Sequence, residues 1–247
     1  MTAVGPVGDG QTVVAFALDT TSETVGPAWA VTTNGLIITF DVSSPEMIGS
    51  SVEITGLDME DWLVGIDLRP ATGELIGLSA GSILYEVDPL TGEASALGEM
   101  FDPALEADTL GFDFNPTVDR IRVDVSTTQN LRLNPETGGV GVNPDTDEPT
   151  IDGNLLFADG DVSAGVTPRV VGAAYTNSVE GAEETQFFVI DAETNALALQ
   201  DPPNDGILNT INLLSVQIGD YASFDIAPSG QAFVTVPAWD NQGTPTT

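Results

Sequence analysis

The chain has 247 residues, of which 38 are acidic and 5 are arginine, and it contains no lysine, histidine or cysteine. Its net charge of −33 provides no basic patch for the phosphates of nucleic acid and disfavours contact with an anionic membrane surface. The absence of histidine and cysteine excludes Ser-His-Asp and Cys-His catalysis and the usual zinc sites.

Short apolar runs separated by turn residues extend along the whole chain, and helical periodicity is almost absent. No run of about 20 apolar residues occurs, so the sequence predicts no membrane insertion. Hydrophobic residues make up 41% of the chain, which is enough for a sizeable core. The first eight candidate strands lie, in chain order, over 12–19, 28–33, 35–42, 50–57, 63–70, 74–80, 82–89 and 93–98.

A repeated phrase divides the chain into units. "GIDLRP" begins at Gly65, "GFDFNP" begins at Gly111, 46 residues later, and "SFDIAP" begins at Ser223. A period of about 40 to 50 residues with four strands per unit is typical of β-propeller blades. Between strands, phrases such as "DPLTGE" supply the proline and the glycine that tight turns need.

We therefore predict an all-β protein that forms a single β-propeller domain over residues 1–247. Five blades, nominally of four strands each, are expected at 12–58, 63–100, 110–160, 171–215 and 222–247. The last blade has two recognisable strands. It is expected to be incomplete, or to be closed by the N-terminal strand that begins near Thr12, or by a neighbouring chain.

Several phrases in combination resemble one bacterial family. They are "GFDFNPTVDRIRVDVSTTQNLRLNP" from Gly111, "GNLLFADGD" from Gly153, "VVGAAYTNS" from Val170 and "QDPPNDGILNTI" from Gln200. Over about 29–236 the chain resembles the family called domain of unknown function 4394. The resemblance implies an exported β-propeller and carries no established activity. The chain departs from the family pattern in its additional strand near Thr12 and in stopping before the last two expected strands.

The resemblance implies an extracellular or cell-surface location, although the start of the chain has neither the basic region nor the apolar stretch of a signal peptide. The acidity is typical of a halophilic surface that is screened by salt or by divalent ions. A high-salt cytoplasm would favour the same composition.

Two sets of polar residues within the repeat are candidates for ligand binding. Arg120 and Arg122 share one face of a predicted strand, and Arg132 lies on the next strand as a possible cross-strand neighbour. These arginines either form ion pairs that lock neighbouring sheets together or bind an anion, such as a carboxylate or an acidic glycan. Asp67 and Asp113 occupy equivalent positions, which Asp225 shares in the last unit. They either accept backbone N–H groups or face the central channel and bind a cation or ligand.

Oxygen-bearing side chains recur around "NPDTDEPTIDGN", as hard cations require. The stretch lacks the glycine and the final glutamate of an EF-hand, so it is either a looser calcium loop or a solvated acidic hairpin tip. The candidate calcium ligands are Asn143, Asp145, Asp147, Asp152, Asp159 and Asp161.

Two classes of function follow. The first is a non-catalytic extracellular or surface propeller, a structural or interaction protein that self-associates into filaments by strand addition with calcium, or binds other surface proteins. The alternative is a calcium-dependent propeller hydrolase, similar to lactonases, or a ligand-binding module. The sequence also allows a fragment of a longer protein, in which case the missing strands reflect only the boundary.

Overall fold

The computed structural model describes residues 6–8, 11–20, 26–142 and 149–236, and in this part of the chain the fold is all-β. The first two sheets consist of β1 (Val13–Leu18), β2 (Pro27–Thr32), β3 (Leu36–Asp41), β4 (Ser44–Glu53), β5 (Leu63–Leu68), β6 (Leu75–Ser79), β7 (Leu84–Val87) and β8 (Ala94–Ala96). The third sheet consists of β9 (Leu110–Asn115), β10 (Arg120–Val125) and β11 (Asn130–Leu133). The fourth and fifth sheets consist of β12 (Leu156–Phe157), β13 (Val170–Tyr175), β14 (Phe187–Asp191), β15 (Ala196–Gln200), β16 (Ile207–Leu213), β17 (Ser223–Ile226) and β18 (Ala232–Thr235).

The sheets are arranged in a ring. Each innermost strand contacts the innermost strand of the next sheet, in the order β1, β5, β9, β13, β17, and β17 in turn contacts β1. Five sheets are therefore arranged radially in the described residues, and four of them have three or more strands. This arrangement is a β-propeller, as the repeat predicted. No helix in the described residues is long and apolar enough to cross a membrane.

Small residues allow the inner strands to approach one another closely. Gly65, Gly111 and Gly172 occupy the same position in β5, β9 and β13. A Cβ atom at Gly111 would overlap the Cβ of Ala173, and one at Gly65 would lie 2.8 Å from Phe112. The inner strands consequently enclose a central cavity of only about 10 Å³, close to the minimum that holds one water molecule.

Apolar clusters join most neighbouring sheets. The first and second sheets share a cluster around Tyr85, and the second and third share one around Phe114. Another contains Phe224 between the fourth and fifth sheets, and Phe16 lies in the cluster that closes the ring between the first and fifth. The interface between the third and fourth sheets differs, because only the fourth sheet contributes an apolar cluster there.

One predicted blade boundary differs from the structure, and one predicted way of closing the ring is not observed. The predicted third blade, 110–160, includes β12, but β12 pairs in parallel with β16 at the outer edge of the fourth sheet. In the fifth sheet the structure describes only β17 and β18. The strand β1 does not fill this sheet, since its hydrogen-bonded partner is β2 in the first sheet. The N-terminal strand thus closes the ring by packing against β17 and not by strand addition.

Candidate functional site

The third sheet has one apolar face and one polar face. Along β10 the sequence "RIRVDV" alternates, so that Ile121 and Val123 join the apolar cluster shared with the second sheet. Arg122 occupies the opposite face, where its register partners are Asp113 on β9 and Arg132 on β11. The predicted cross-strand pairing of these two arginines is therefore present. This polar face lies against the fourth sheet, since Asp113 accepts a hydrogen bond from the backbone N–H of Tyr175.

Arg122 is the centre of a buried polar network. Its Nη1 donates to Asn130 Oδ1 and to Asp152 Oδ2, each at 2.6 Å, and its Nη2 donates to Asn204 Oδ1 at 2.6 Å. Arg132 donates from Nε and Nη2 to the two oxygens of the same Asp152, at 2.8 and 2.9 Å. The Asp152 side chain is only 3% exposed. Bidentate pairing of this kind fixes both partners in one geometry.

Arg120 differs from the other arginines. Its Nη1 donates to the backbone oxygen of Asp119 at 2.8 Å, and no carboxylate of the described residues pairs with it. The other four arginines are paired: Arg122 and Arg132 with Asp152, Arg69 with Glu74, Asp119 and Glu136, and Arg169 with Glu193 and Asp220. Arg120 therefore retains an uncompensated positive charge within the described structure.

A cavity of about 330 Å³ brings these groups together. Its polar lining comes from Arg120, Arg122, Arg132, Asn115, Tyr175 and Asn204. Its apolar lining comes from the side chains of Val118, Pro202 and Pro203. Burial raises the pKa of the Tyr175 hydroxyl, while the adjacent Arg122 and Asn115 act in the opposite direction. We refer to this cavity as the arginine pocket.

Behind Arg122 lies a group of buried polar atoms that lack partners. Arg122 Nε, both oxygens of Asp124 and Gln200 Oε1 meet no donor or acceptor of the described residues in hydrogen-bond geometry. Burial raises the pKa of Asp124 to about 7, whereas the charge of Arg122 and the amide of Gln200 act to lower it. The charge behind the pocket thus changes near neutral pH.

The carboxylates at the centre of the ring form a separate system. Asp67 accepts a hydrogen bond from the backbone N–H of Phe114 at 2.8 Å, and Asp225 accepts one from the backbone N–H of Leu18 at 2.6 Å. Asp113 accepts in the same way from Tyr175 in the fourth sheet. Each side chain thus connects its own inner strand to the next one. Burial raises the pKa of Asp67 to about 6 and raises those of Asp113 and Asp225 well above the usual range. None of the three lines the arginine pocket.

A family model for "Domain of unknown function (DUF4394)" matches residues 36–245. The chain belongs to this family. A search of curated proteins finds no match. A similar solved structure is "YCF48 bound to D1 peptide", at 12% identity and a TM-score of 0.40. The alignment covers 82% of this chain and 54% of that one, so the chain spans about half of the length of that structure.

Three of the four phrases that carry the family resemblance meet at the arginine pocket. The phrase from Gly111 supplies the three arginines and Asn115, the phrase from Val170 supplies Tyr175, and the phrase from Gln200 supplies Asn204. Sequence reasoning selected the arginines but missed Tyr175 and Asn204. The family phrases were the available signal, but nothing in the spacing shows that they meet.

The predicted calcium ligands that the structure describes lie in three different environments. Asn143, Asp145 and Asp147 lie outside the described residues. The Asp152 carboxylate accepts hydrogen bonds from Arg122 and Arg132 through both oxygens. Its assignment as a calcium ligand stays a prediction. Asp161 accepts from Thr210 and Ser163, and Asp159 is exposed. In the described part of the chain no three acidic side chains converge into a group that could hold a metal ion.

Proposed function

We propose that this propeller is a non-catalytic binding module that captures an anionic ligand in the arginine pocket. One observation carries the proposal. Three of the five arginines of a chain with a net charge of −33 line the same cavity. In so acidic a protein, a local cluster of positive charge attracts anions that the rest of the surface repels.

The dimensions and the chemistry of the pocket support binding. Its volume of about 330 Å³ lies at the lower end of the range of small-molecule sites, about 300 to 1,000 Å³. Arg120 contributes a guanidinium group without a carboxylate partner in the described residues, and a guanidinium fork matches the two oxygens of a carboxylate. Arg122 and Arg132 are held in place by Asp152, so the site is ordered before a ligand enters.

The polar lining favours binding over catalysis. Arginine side chains only donate hydrogen bonds, and the nearby carboxylate of Asp152 accepts from guanidinium groups through both oxygens. A general base needs a lone pair directed at the substrate. Asp152 is committed to the two arginines instead, so the pocket is better suited to holding an anion than to removing a proton.

The proposal is tested by calorimetric titration of the full chain at low ionic strength with acetate, hexanoate, gluconate, adipate and inorganic phosphate. We expect saturable binding of at least one anion, which Arg120→Gln abolishes. Arg169→Gln is the matched control, because it removes the same charge from an arginine that is paired outside the pocket with Asp220. Failure of all five anions to bind, or equal loss in both variants, would overturn the proposal.

A second candidate function, self-assembly, is favoured by the outer edge of β18. In the described residues β18 pairs only with β17, and an unpaired edge is a template for strand addition. Under this proposal the protein is extracellular or at the cell surface, and calcium screens the charge between subunits. Light scattering with and without millimolar calcium tests it. Calcium-dependent assemblies would support it, and a monomer under both conditions would exclude it.

A further inference from the structure

The orientation of two amide side chains restricts what the arginine pocket can bind. The Asn115 Oδ1 atom accepts hydrogen bonds from the backbone N–H and the hydroxyl of Thr117, at 3.0 and 2.7 Å. The Asn204 Oδ1 atom accepts from Arg122 Nη2. Because both carbonyl oxygens are already engaged, the NH₂ group of Asn204 is left for the pocket, and the NH₂ group of Asn115 is shared with the Tyr175 hydroxyl. Together with the Arg120 guanidinium, these groups make the polar lining rich in donors and poor in free acceptors.

A donor-rich lining selects a ligand that only accepts hydrogen bonds. An ionised carboxylate has acceptors and no donor. The hydroxyl groups of a sugar acid, or of a protonated phosphate, would each bring a donor that finds few free acceptors, and an unpaired buried donor reduces affinity. The lining therefore favours a simple carboxylate over an acidic sugar or a phosphate.

The charge of the pocket limits the ligand to one negative charge. The three arginines contribute three positive charges, and Asp152 compensates one of them. Asp124 compensates a second where it is ionised. Arg120 remains, and one carboxylate balances it. A dianion would leave a negative charge in a chain whose net charge is already −33.

The rest of the lining determines the body of the ligand. Val118, 58% exposed, and the two prolines of the Pro202–Pro203 pair form apolar surface beside the arginines. The volume of about 330 Å³ lies near the lower limit for small-molecule sites, so the body of the ligand is compact. We infer that the ligand is a monocarboxylate with a compact apolar body and without hydroxyl groups. This inference rests on the proposed function.

The decisive comparison uses three six-carbon acids. Hexanoate has the apolar body, gluconate has the same chain length with hydroxyl groups, and adipate adds a second carboxylate. By calorimetric titration at pH 8 we expect hexanoate to bind about tenfold or more tightly than gluconate, adipate or inorganic phosphate. Arg120→Gln should abolish this binding, and Arg169→Gln should leave it unchanged.

A second variant separates the apolar body from the carboxylate. Val118→Ser replaces a half-exposed side chain in the turn between β9 and β10, where folding depends little on it. It should weaken hexanoate binding and leave acetate binding unchanged. If gluconate, adipate or phosphate binds more tightly than hexanoate in an Arg120-dependent way, the anion site stands and the monocarboxylate inference is overturned. If no anion binds, the proposed function itself is overturned.

Discussion

Replacing Asp113 by asparagine should stabilise this propeller at alkaline pH. Asp113 Oδ2 accepts the Tyr175 N–H at 3.0 Å, and its Oδ1 has no donor in the described residues. Burial, followed by the charges of Asp67 and Asp225, raises its pKa well above the usual range. An asparagine retains the acceptor for Tyr175. It also places an NH₂ donor beside Asp67 in place of a second negative charge.

The magnitude follows from the pKa of Asp67, which rises from 3.8 to about 6. A carboxyl whose pKa is raised on folding supports the native state fully below pH 4, and this support is lost as pH rises through the native pKa. A shift of about two units corresponds to about 3 kcal/mol for Asp67 alone at pH 8. Asp113 is buried like Asp67 and its own pKa is raised, first by that burial. Asp113→Asn replaces this buried carboxyl with a neutral group, so we expect the free energy of unfolding to increase by about 2 kcal/mol at pH 8. At pH 5 the change should be below about 1 kcal/mol, because the central carboxyls are then mostly protonated.

Urea denaturation at pH 5 and pH 8 in a constant high salt concentration measures both values; pH 5 stays above the isoelectric point of about 4.1. Asp191→Asn is the matched control. Asp191 is equally buried, but it accepts from the Arg169 N–H and from both the N–H and the hydroxyl of Thr194. Its replacement should destabilise the protein at both pH values. If Asp113→Asn were as destabilising at pH 8 as the control, the central carboxylates would not carry the uncompensated charge that we assign to them.

Three further predictions concern the pocket and the ring. The affinity for hexanoate should fall by about threefold or more between pH 6 and pH 8, because Asp124, with a pKa of about 7, becomes negative behind Arg122. The pKa of Tyr175 is raised from 10, so this tyrosine does not titrate between pH 6 and pH 8. In the Asp124→Asn variant the affinity for hexanoate should therefore be the same at both pH values. Gly111→Ala should lower the free energy of unfolding, measured in urea, by about 1 to 3 kcal/mol, because the added Cβ would overlap the next inner strand. Gly139→Ala is the control and should be tolerated, because a Cβ there would lie 3.7 Å from the nearest atom. Asp152→Asn should cost about 3 kcal/mol, because it removes the charge that pairs with the buried Arg122 and with Arg132; an unchanged melting temperature would contradict the buried ion-pair network.

The sequence predicted the ring because its evidence is local and repeated. The phrase shared by 65–70 and 111–116 marks two inner strands, and the predicted strand at 12–19 is observed as Val13–Leu18. The pairing of Arg122 with Arg132 was likewise accessible, because adjacent strands joined by a short turn must be neighbours.

The composition of the pocket could not be predicted in the same way. Asp152 lies 30 residues from Arg122, and Asn204 lies 82 residues away. In an acidic chain any of many carboxylates could have paired with these arginines, and the regular spacing of oxygen-bearing residues suggested calcium instead. Only the folded ring determines which loop of the fourth sheet reaches the polar face of the third.

The short parallel pairing of β12 with β16 has a mechanical consequence. Asp152 pairs with Arg122 and Arg132 of the third sheet, and four residues later the chain forms β12, the outermost strand of the fourth, so this segment joins the two blades. Separating the third and fourth sheets requires breaking the β12–β16 pairing as well as the ion pairs of Asp152. The two blades should therefore open as one cooperative unit in hydrogen exchange. A ligand would enter a preorganised site, and little of its binding energy would be spent on ordering the walls.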